Sequence, residues 1–258
     1  MPTGSVALVL VGHGSSRMPD AAGPVLRLAA AVAARHRFAE VGAAFMKQTP
    51  PLAGALDSVA AATVVVVPVF AGRGWYTDTL VPRTLGLDGR VTRRDGRLIV
   101  ITPPAGGHPA IPAILARRAL AAAGEVDAGR LSLLLIAHGS AREEKGAGDT
   151  PRAIAAAIAA MGWFAEVAVG FLEQEPRAAE WPGLLTGDDI VALPLLIAQG
   201  THASRDIPPL FGLAPDQTGP VASHGRRVRL ASGLGVEPEL VEVVIEMAEA
   251  ALRSVASF

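Results

Sequence analysis

The sequence predicts an α/β protein made of two tandem repeated units. Each unit is expected to be a four-stranded parallel sheet flanked by helices, with the two sheets facing each other across a cleft. Residues 65–87 align without a gap to residues 191–213, an offset of 126 positions. Further segments repeat at nearly the same offset, which indicates a tandem duplication. Continuous apolar runs and an alternation of strand and helix patterns predict the parallel sheets and their flanking helices. We expect the units to cover residues 1–126 and 127–258.

The second repeat shows the order of elements most clearly. The apolar run Leu131–Ala137 ends directly before a His-Gly pair, which is typical of a strand buried on both faces of a parallel sheet. Strands that alternate with helices predict parallel sheets covered on both sides. The further elements are a helix with Thr150 as N-cap, Pro151 as first residue and Gly162 at its end, a strand over 164–172, a helix that opens at Pro176, a strand over 189–198, a short helix over 202–211, a strand over 226–231 and a helix over 238–252.

Composition excludes several classes of protein. The net charge is −1, so no global field attracts nucleic acid or acidic lipid, and neither is expected as a partner. The chain has no cysteine, which excludes disulfides, thiolate metal ligands, iron–sulfur clusters and cysteine nucleophiles. No apolar run approaches the ~18 residues of a membrane helix. We therefore expect a cytoplasmic protein that does not cross a membrane.

Ionisable side chains follow three strands of the second repeat. His138 follows the first strand, Glu173 follows the second with Glu175 close by, and His202 follows the third. Ligands bind at the carboxyl ends of the strands in an open parallel sheet, so these side chains should converge on one edge. Two imidazoles and a carboxylate suit divalent cobalt, iron, nickel or zinc. The imidazoles can also accept protons.

The first repeat keeps only part of this set. His13 matches the first histidine, but Tyr76 stands where His202 stands, and Lys47 stands where Glu173 stands. A cation at the carboxylate position and a phenol in place of an imidazole make a poor site for a divalent metal. The sequence therefore predicts a metal site in the second repeat and an incomplete one in the first.

Several segments carry a resemblance to a known family. The strand-His-Gly-Ser opening (LLLIAHGSAREEKGAGD), FLEQEP, LPLLIAQGTHASRDIP and TPPAGGHP resemble the CbiX/SirB-type sirohydrochlorin chelatases, which are class II tetrapyrrole chelatases. The resemblance covers both repeats, and the pairing of HGS with GTHxxxDIP is its most specific part. It implies a class II chelatase-like fold. It also implies a lyase-type enzyme that inserts a divalent metal into sirohydrochlorin or a related reduced tetrapyrrole in cobalamin or sirohaem synthesis.

The resemblance also implies roles for individual residues. His138 and His202 would bind the metal and take protons from the macrocycle, and Glu173 would be their acidic partner. FLEQEP is one residue shorter than the usual spacing from glutamate to proline, which leaves Glu175 as an alternative. In two-repeat members the active histidines usually lie in the first half. Here they lie in the second, as in CbiK-type chelatases, and the role of His13 stays open.

The expected substrate sets the remaining predictions. The metal enters as a substrate, with Co²⁺ favoured and Fe²⁺ or Ni²⁺ as alternatives, because imidazole and carboxylate suit all three. No ATP-binding loop is evident, so neither ATP nor an organic cofactor is expected. Sirohydrochlorin carries carboxylates, for which cations are the natural partners. The predicted substrate-binding residues are Arg142, Lys145, Arg205 and Ser140, and a duplicated chain would act as a monomer or a homodimer.

Two other functions compete with this prediction. A tetrapyrrole or metal carrier of the same fold would bind without turnover, although two retained histidines argue against it. A histidine phosphatase also has His-Gly after its first strand, but it places an arginine immediately before that pair. Gly12 and Ala137 occupy this position here, which argues against phosphatase chemistry.

Overall fold

The chain divides into two compact units, each built around one sheet. The computed structural model describes residues 5–140, 148–195, 205–236 and 238–256. Three predicted site residues, Arg142, Lys145 and His202, lie outside these ranges. One unit comprises Met1–His108 with Glu237–Phe258, and the other comprises Pro109–Val236.

The first unit contains a five-stranded sheet with the strand order β2-β1-β3-β5-β4. Strand β1 is an inner strand and is buried along its whole length, as expected for an apolar strand covered by helices on both faces. Strands β1, β2, β3 and β5 pair in parallel, and β4 pairs with β5 in the antiparallel sense. The strands are β1 (Val6–Gly12), β2 (Glu40–Phe45), β3 (Thr63–Pro68), β4 (Val91–Arg94) and β5 (Arg97–Ile101).

The second unit repeats this topology with the order β7-β6-β8-β10-β9. Its inner strand β6, which corresponds to β1, is again buried throughout. The predicted α/β class and the duplication are thus confirmed, and each sheet adds one antiparallel edge strand to the four parallel strands expected. The strands are β6 (Leu131–Ala137), β7 (Glu166–Phe171), β8 (Asp189–Pro194), β9 (Val221–Ser223) and β10 (Arg226–Leu230).

The extra edge strands arise from tight hairpins. Asp95 and Gly96 connect β4 to β5, and His224 and Gly225 connect β9 to β10. All four residues have positive φ angles, between 49° and 75°. Two consecutive residues with positive φ are typical of the hairpin turn that matches the twist of the flanking strands. A prediction of parallel strands alone therefore misses these edges.

The helices include two short ones, α2 (Val81–Thr84) and α5 (Trp181–Leu184). Pro176 does not open a helix as predicted, because a 3₁₀ turn over Ala178–Glu180 precedes α5. Thr150 is not an N-cap either, because the helix starts at Asp149 with Gly148 as its N-cap. The longer helices are α1 (Gly23–Ala33), α3 (Ile111–Ala123), α4 (Asp149–Ala160) and α6 (Leu240–Ala256). Within the described ranges, no helix has both the length and the apolarity that crossing a bilayer requires.

The last helix of each repeat packs in the other unit. Helix α3 ends the first repeat in sequence but contacts β8, β10 and α4, whereas α6 ends the second repeat but contacts α1, β3 and β5. The repeats expected over 1–126 and 127–258 therefore differ from the compact units, which divide at His108 and Val236. Each of these helices packs on the sheet of the unit that it joins, beside the earlier helix of that unit, α6 beside α1 and α3 beside α4, and so buries its apolar face.

One buried carboxylate pairs with two arginines at the amino-terminal edge of the second sheet. Asp189 begins β8 and accepts hydrogen bonds from Arg227 at 2.6 and 2.8 Å, with Arg229 Nη1 at 3.4 Å. The hydrogen bonds from Arg227 hold the pKa of Asp189 below its usual value against the opposing effect of burial. The equivalent residue in the first unit is the buried Thr63. This ion pair is therefore a feature of the second unit.

Candidate active site

The backbone brings His138 and Glu173 together. Beyond the last strand pair of β6 and β7, Ala137 with Phe171, Glu173 N donates to His138 O at 2.9 Å. This hydrogen bond holds the two residues next to each other at the carboxyl edge of the sheet, where ligands bind in this class of fold. His138 Nδ1 and Glu173 Oε2 are 3.8 Å apart.

The His138 ring makes a hydrogen bond through Nδ1. Nδ1 lies 3.1 Å from Gly139 O, and because a carbonyl oxygen only accepts, Nδ1 is the donor. In a neutral ring Nε2 then carries the lone pair. The side chain is 42% exposed, and an imidazole is a side chain that can bind a metal ion or take a proton.

The two glutamates after β7 have different surroundings. Glu173 lies beside His138, whereas Glu175 accepts from Arg177 N at 3.1 Å and from Arg177 Nε at 3.2 Å. Arg177 also donates to Leu172 O at 2.9 Å. Glu175 is therefore part of a local turn, and the geometry favours Glu173 as the acidic neighbour of the histidine.

Gln174 is a residue that the sequence reasoning missed. Its Oε1 accepts a hydrogen bond from Ser140 N at 3.1 Å and so anchors the loop that follows β6. Gly139 in this loop has φ 74°, and a Cβ there would lie 2.7 Å from Gln174 Cγ. In the first repeat Gln48 makes the same contact with Ser15 N at 3.1 Å, but the repeated glutamine does not show its hydrogen-bond partner in the sequence.

The structure describes only one of the three cationic residues predicted to bind the substrate. Arg205 is exposed and lies in a π-helical turn with Asp206, whereas the positions of Arg142 and Lys145 are outside the described residues. Arg152, which also lies near this edge in sequence, stacks its guanidinium 4.9 Å from the Phe171 ring centre and donates to a backbone carbonyl. Arg152 therefore braces the loop that follows β7.

The described residues hold part of the expected metal set. Across 5–140, 148–195, 205–236 and 238–256, no group of three histidine, aspartate or glutamate side chains forms a metal site. The pair of His138 and Glu173 is present, and His202 lies outside these ranges. A metal that enters at His138 and Glu173 thus needs a third donor from elsewhere, and a histidine there is the role predicted for His202.

The first unit has the same backbone with different side chains. Lys47 N donates to His13 O at 3.0 Å, as Glu173 N does to His138 O. His13 Nδ1 lies 2.8 Å from Gly14 O. Next to this histidine lie the Tyr76 ring, 4.8 Å away between ring centres, and Lys47 Nζ, 5.9 Å from the tyrosine ring centre. The first unit therefore presents a phenol and a cation where a metal would need donors.

The fold and this duplicated strand edge define a class of protein. Residues 7–122 and 132–251 match the family model of CbiX, and the chain belongs to the CbiX family. This match confirms the resemblance seen in the sequence. The chain is 32% identical to a protein named "Probable sirohydrochlorin cobaltochelatase" from Halobacterium salinarum, with 94% of this chain and 90% of that protein aligned.

Solved structures lead to the same class. CbiX, described as the terminal enzyme of siroheme biosynthesis in denitrifying bacteria, has a TM-score of 0.69 and 26% identity, and the alignment covers 95% of this chain and 99% of that one. A multi-domain protein from Deinococcus radiodurans with structural similarity to chelatases has a TM-score of 0.77 and 29% identity. That alignment covers 94% of this chain but 54% of the other, so this chain spans about half of its length.

Proposed function

We propose that this chain is a sirohydrochlorin chelatase that inserts a divalent metal, with Co²⁺ favoured over Fe²⁺ and Ni²⁺, and that its working site lies in the second unit. The observation that carries the proposal is the pairing of His138 with Glu173 at 3.8 Å, set against His13 with Lys47 at the equivalent edge of the first unit. The preference for cobalt is supported by the name of the halobacterial relative. Imidazole and carboxylate are suitable ligands for all three metals.

The reaction exchanges one metal ion for two protons. The metal must lose water, the two pyrrole N–H protons must leave, and the metal must bind the ring nitrogens. Glu173 attracts the cation to the strand edge, and Nε2 of His138 can replace a water ligand. We assign a second imidazole to His202, and Arg142, Lys145, Arg205 and Ser140 to the carboxylates of the ring.

Proton transfer is the second task of the same groups. Imidazole exchanges protons near neutral pH, which suits the removal of pyrrole protons. The hydrogen bond from Nδ1 to Gly139 O keeps the lone pair on Nε2, so Nε2 can take one pyrrole proton once the metal has passed to the ring nitrogens. The second proton goes to the imidazole assigned to His202. Glu173 can stabilise the imidazolium that results, because opposite charges attract at this distance. No step in this scheme needs ATP.

The test is anaerobic metal insertion followed by absorption spectroscopy. Sirohydrochlorin is mixed with Co²⁺, Fe²⁺ or Ni²⁺ and with wild type, His138→Ala, His202→Ala or His13→Ala. We expect the two second-unit variants to lose about 100-fold or more in rate, a typical effect of removing an acid–base group. His13→Ala is the matched control, because its loop has the same backbone contacts.

Each outcome decides between functions. A rate that falls only in the His13→Ala variant would move the working site to the first unit. Insertion no faster than in protein-free buffer would refute the enzyme, and tight tetrapyrrole binding without proton release would then support a carrier. The ranking of the three metals tests the preference for cobalt directly.

A further inference from the structure

Three aromatic rings lie in a row at the carboxyl edge of the first sheet. His13 follows β1, and Tyr76 opens a π-helical turn, Tyr76–Leu80, after β3. The His13 and Tyr76 rings meet edge to face at 4.8 Å, and the Tyr76 and Trp75 rings do so at 5.3 Å. Trp75 is 45% exposed. An exposed indole backed by two rings offers a flat apolar surface to a ligand.

A cation stands next to these rings. Lys47 follows β2, is exposed, and places Nζ 5.9 Å from the centre of the Tyr76 ring. Among the residues that the structure describes, no carboxylate lies within ion-pair distance of Lys47. The nearby Asp78 is engaged by Arg73 at 3.2 Å. The row of rings therefore has a positive charge at one side that can meet an anion.

The side chains at this edge disfavour a divalent cation, which is the ligand proposed for the second unit. A divalent cation would approach the ammonium of Lys47 where the second unit offers the carboxylate of Glu173, and like charges repel. Tyr76 offers a neutral phenol where the second repeat has His202. A flat ligand with negative charge at its rim satisfies both the rings and the lysine.

We propose that Trp75, Tyr76, His13 and Lys47 form a separate binding site in the first unit for a planar ring that carries carboxylates. The face of the ring packs on the indole, and a rim carboxylate accepts a hydrogen bond from the lysine ammonium. The class of ligand rests on the proposed function, because a reduced tetrapyrrole is a ring with carboxylates. The site takes no divalent cation.

Lysine reactivity locates this site in the full chain. The chain has two lysines, Lys47 and Lys145, so acylation followed by mass spectrometry reports each one separately. The probe is metal-free uroporphyrin I, an aromatic ring with eight carboxylates. We expect saturating uroporphyrin to slow acylation of Lys47 at least fivefold or so, because a lysine that pairs with a carboxylate is withdrawn from reaction.

Affinity measurements by porphyrin fluorescence complete the test. Lys47→Met and Trp75→Ala should each weaken binding about tenfold, the usual size of one charged hydrogen bond or one stacking contact. Arg93→Met on the edge strand β4 and Trp163→Ala are the matched controls, since Arg93 is an exposed cation and Trp163 is a 39% exposed tryptophan. Both controls should bind within twofold of wild type.

Several results would overturn the proposal. Unchanged Lys47 acylation with saturating uroporphyrin would show that the ring does not bind at these residues. Equal protection by a cationic tetrapyridylporphyrin would remove the role of carboxylates, and slower acylation with Co²⁺ alone would show a metal site instead. The readout does not depend on turnover. If metal insertion fails but Lys47 is protected by uroporphyrin, the chelatase function is wrong and this site stands.

Discussion

The strand ends of the two units share one backbone and differ in chemistry. In both, the second residue after the second strand donates to the carbonyl of the histidine, and a glutamine anchors the loop through a serine N–H. One unit then carries Glu173 at this edge and the other carries Lys47. The two units thus share the contacts that hold the loop and differ in the charged side chain beside the histidine. The comparison separates residues that build the site from residues that give it a function.

The largest expected effect comes from giving the second unit the charge of the first. Glu173→Lys should lower the rate of metal insertion about 100-fold or more, because it removes a carboxylate and repels the cation. Stability should change little, since the Glu173 side chain is 44% exposed. Anaerobic insertion kinetics measure the rate.

Glu175→Lys is the matched control for this prediction. The same change falls two residues away, at a carboxylate that pairs with Arg177 and is 71% exposed. Its insertion rate should stay within about threefold of wild type. Equal losses in both variants would mean that charge near this edge matters but the position of Glu173 does not.

Gly139→Ala should have the next largest effect, and it acts first on stability. A side chain at φ 74° is strained, and its Cβ would meet Gln174 Cγ at 2.7 Å and Phe171 Cβ at 3.1 Å. We expect a loss of about 2 kcal/mol in unfolding free energy together with slower metal insertion. Thermal and denaturant unfolding measure the first effect.

Alanine substitutions at two other glycines separate the backbone strain from the side-chain clash and from the effect on insertion. Gly162→Ala has a similar φ of 68° with nothing within 4 Å of the added Cβ, so it isolates the backbone strain at about 1 kcal/mol. Gly14→Ala repeats the clash in the first unit, against Gln48 Cβ at 2.7 Å. Gly14→Ala should destabilise as much as Gly139→Ala while leaving insertion much less affected. A loss of insertion equal to that of Gly139→Ala would contradict the separation of the two sites.

Asp189→Asn tests the ion pair that only the second unit has. Removing the charge opposite Arg227 and Arg229 should cost about 2 kcal/mol of unfolding free energy near neutral pH. Because the folded-state pKa of Asp189 is lowered below its ordinary value of 3.8, this contribution is present above that pH. It is lost as the pH falls through the folded-state pKa.

The measurement is unfolding as a function of pH for wild type and variant. The difference between the two proteins should be constant from pH 7 to about 5 and should shrink below the ordinary aspartate pKa of ~3.9. Asp188→Asn is the control, because its side chain is exposed and should contribute less than about 0.5 kcal/mol. A difference that persists unchanged at low pH would rule out the charge as the cause.

The smallest expected effects belong to the anchoring glutamines. Gln174→Leu and Gln48→Leu each remove one hydrogen bond to a loop N–H and should each cost about 1 kcal/mol. Only Gln174→Leu should slow insertion, and by several-fold, because it loosens the loop that holds His138. Equal slowing by Gln48→Leu would show that the first unit takes part in turnover.

The parts of the fold that depend on hydrophobic pattern were predictable. The run Leu131–Ala137 is a strand with the predicted bounds, and the final helix begins at Leu240, two residues from its predicted start. The edge hairpins were missed although Asp95-Gly96 is a strong hairpin signal, because its flanking strands are short and partly polar. The packing partner of α3 could not be read from sequence, since an apolar helix face fits either sheet.

The proximity of His138 and Glu173 was predictable, and the hydrogen bonds that support them were not. Both residues follow the carboxyl ends of adjacent parallel strands, β6 and β7, so the sequence was enough to expect them at one edge. The choice between Glu173 and Glu175 required coordinates, because it depends on the hydrogen bonds of Arg177. The anchoring role of Gln174 also required them, since a glutamine gives no sign of its partner in sequence.

The exchange of α3 and α6 between the units has a consequence for synthesis on the ribosome. The first sheet has all its strands by Ile101, but α6, which packs on β3 and β5 beside α1, begins at Leu240. The growing chain must therefore leave the apolar surface under α6 exposed while well over a hundred further residues are made. Nascent chains arrested before Leu240 should be sensitive to proteases and should recruit chaperones, and release of the full chain should end both. The first unit is therefore completed only after the second unit has been translated, so the folding of both units depends on synthesis of the whole chain.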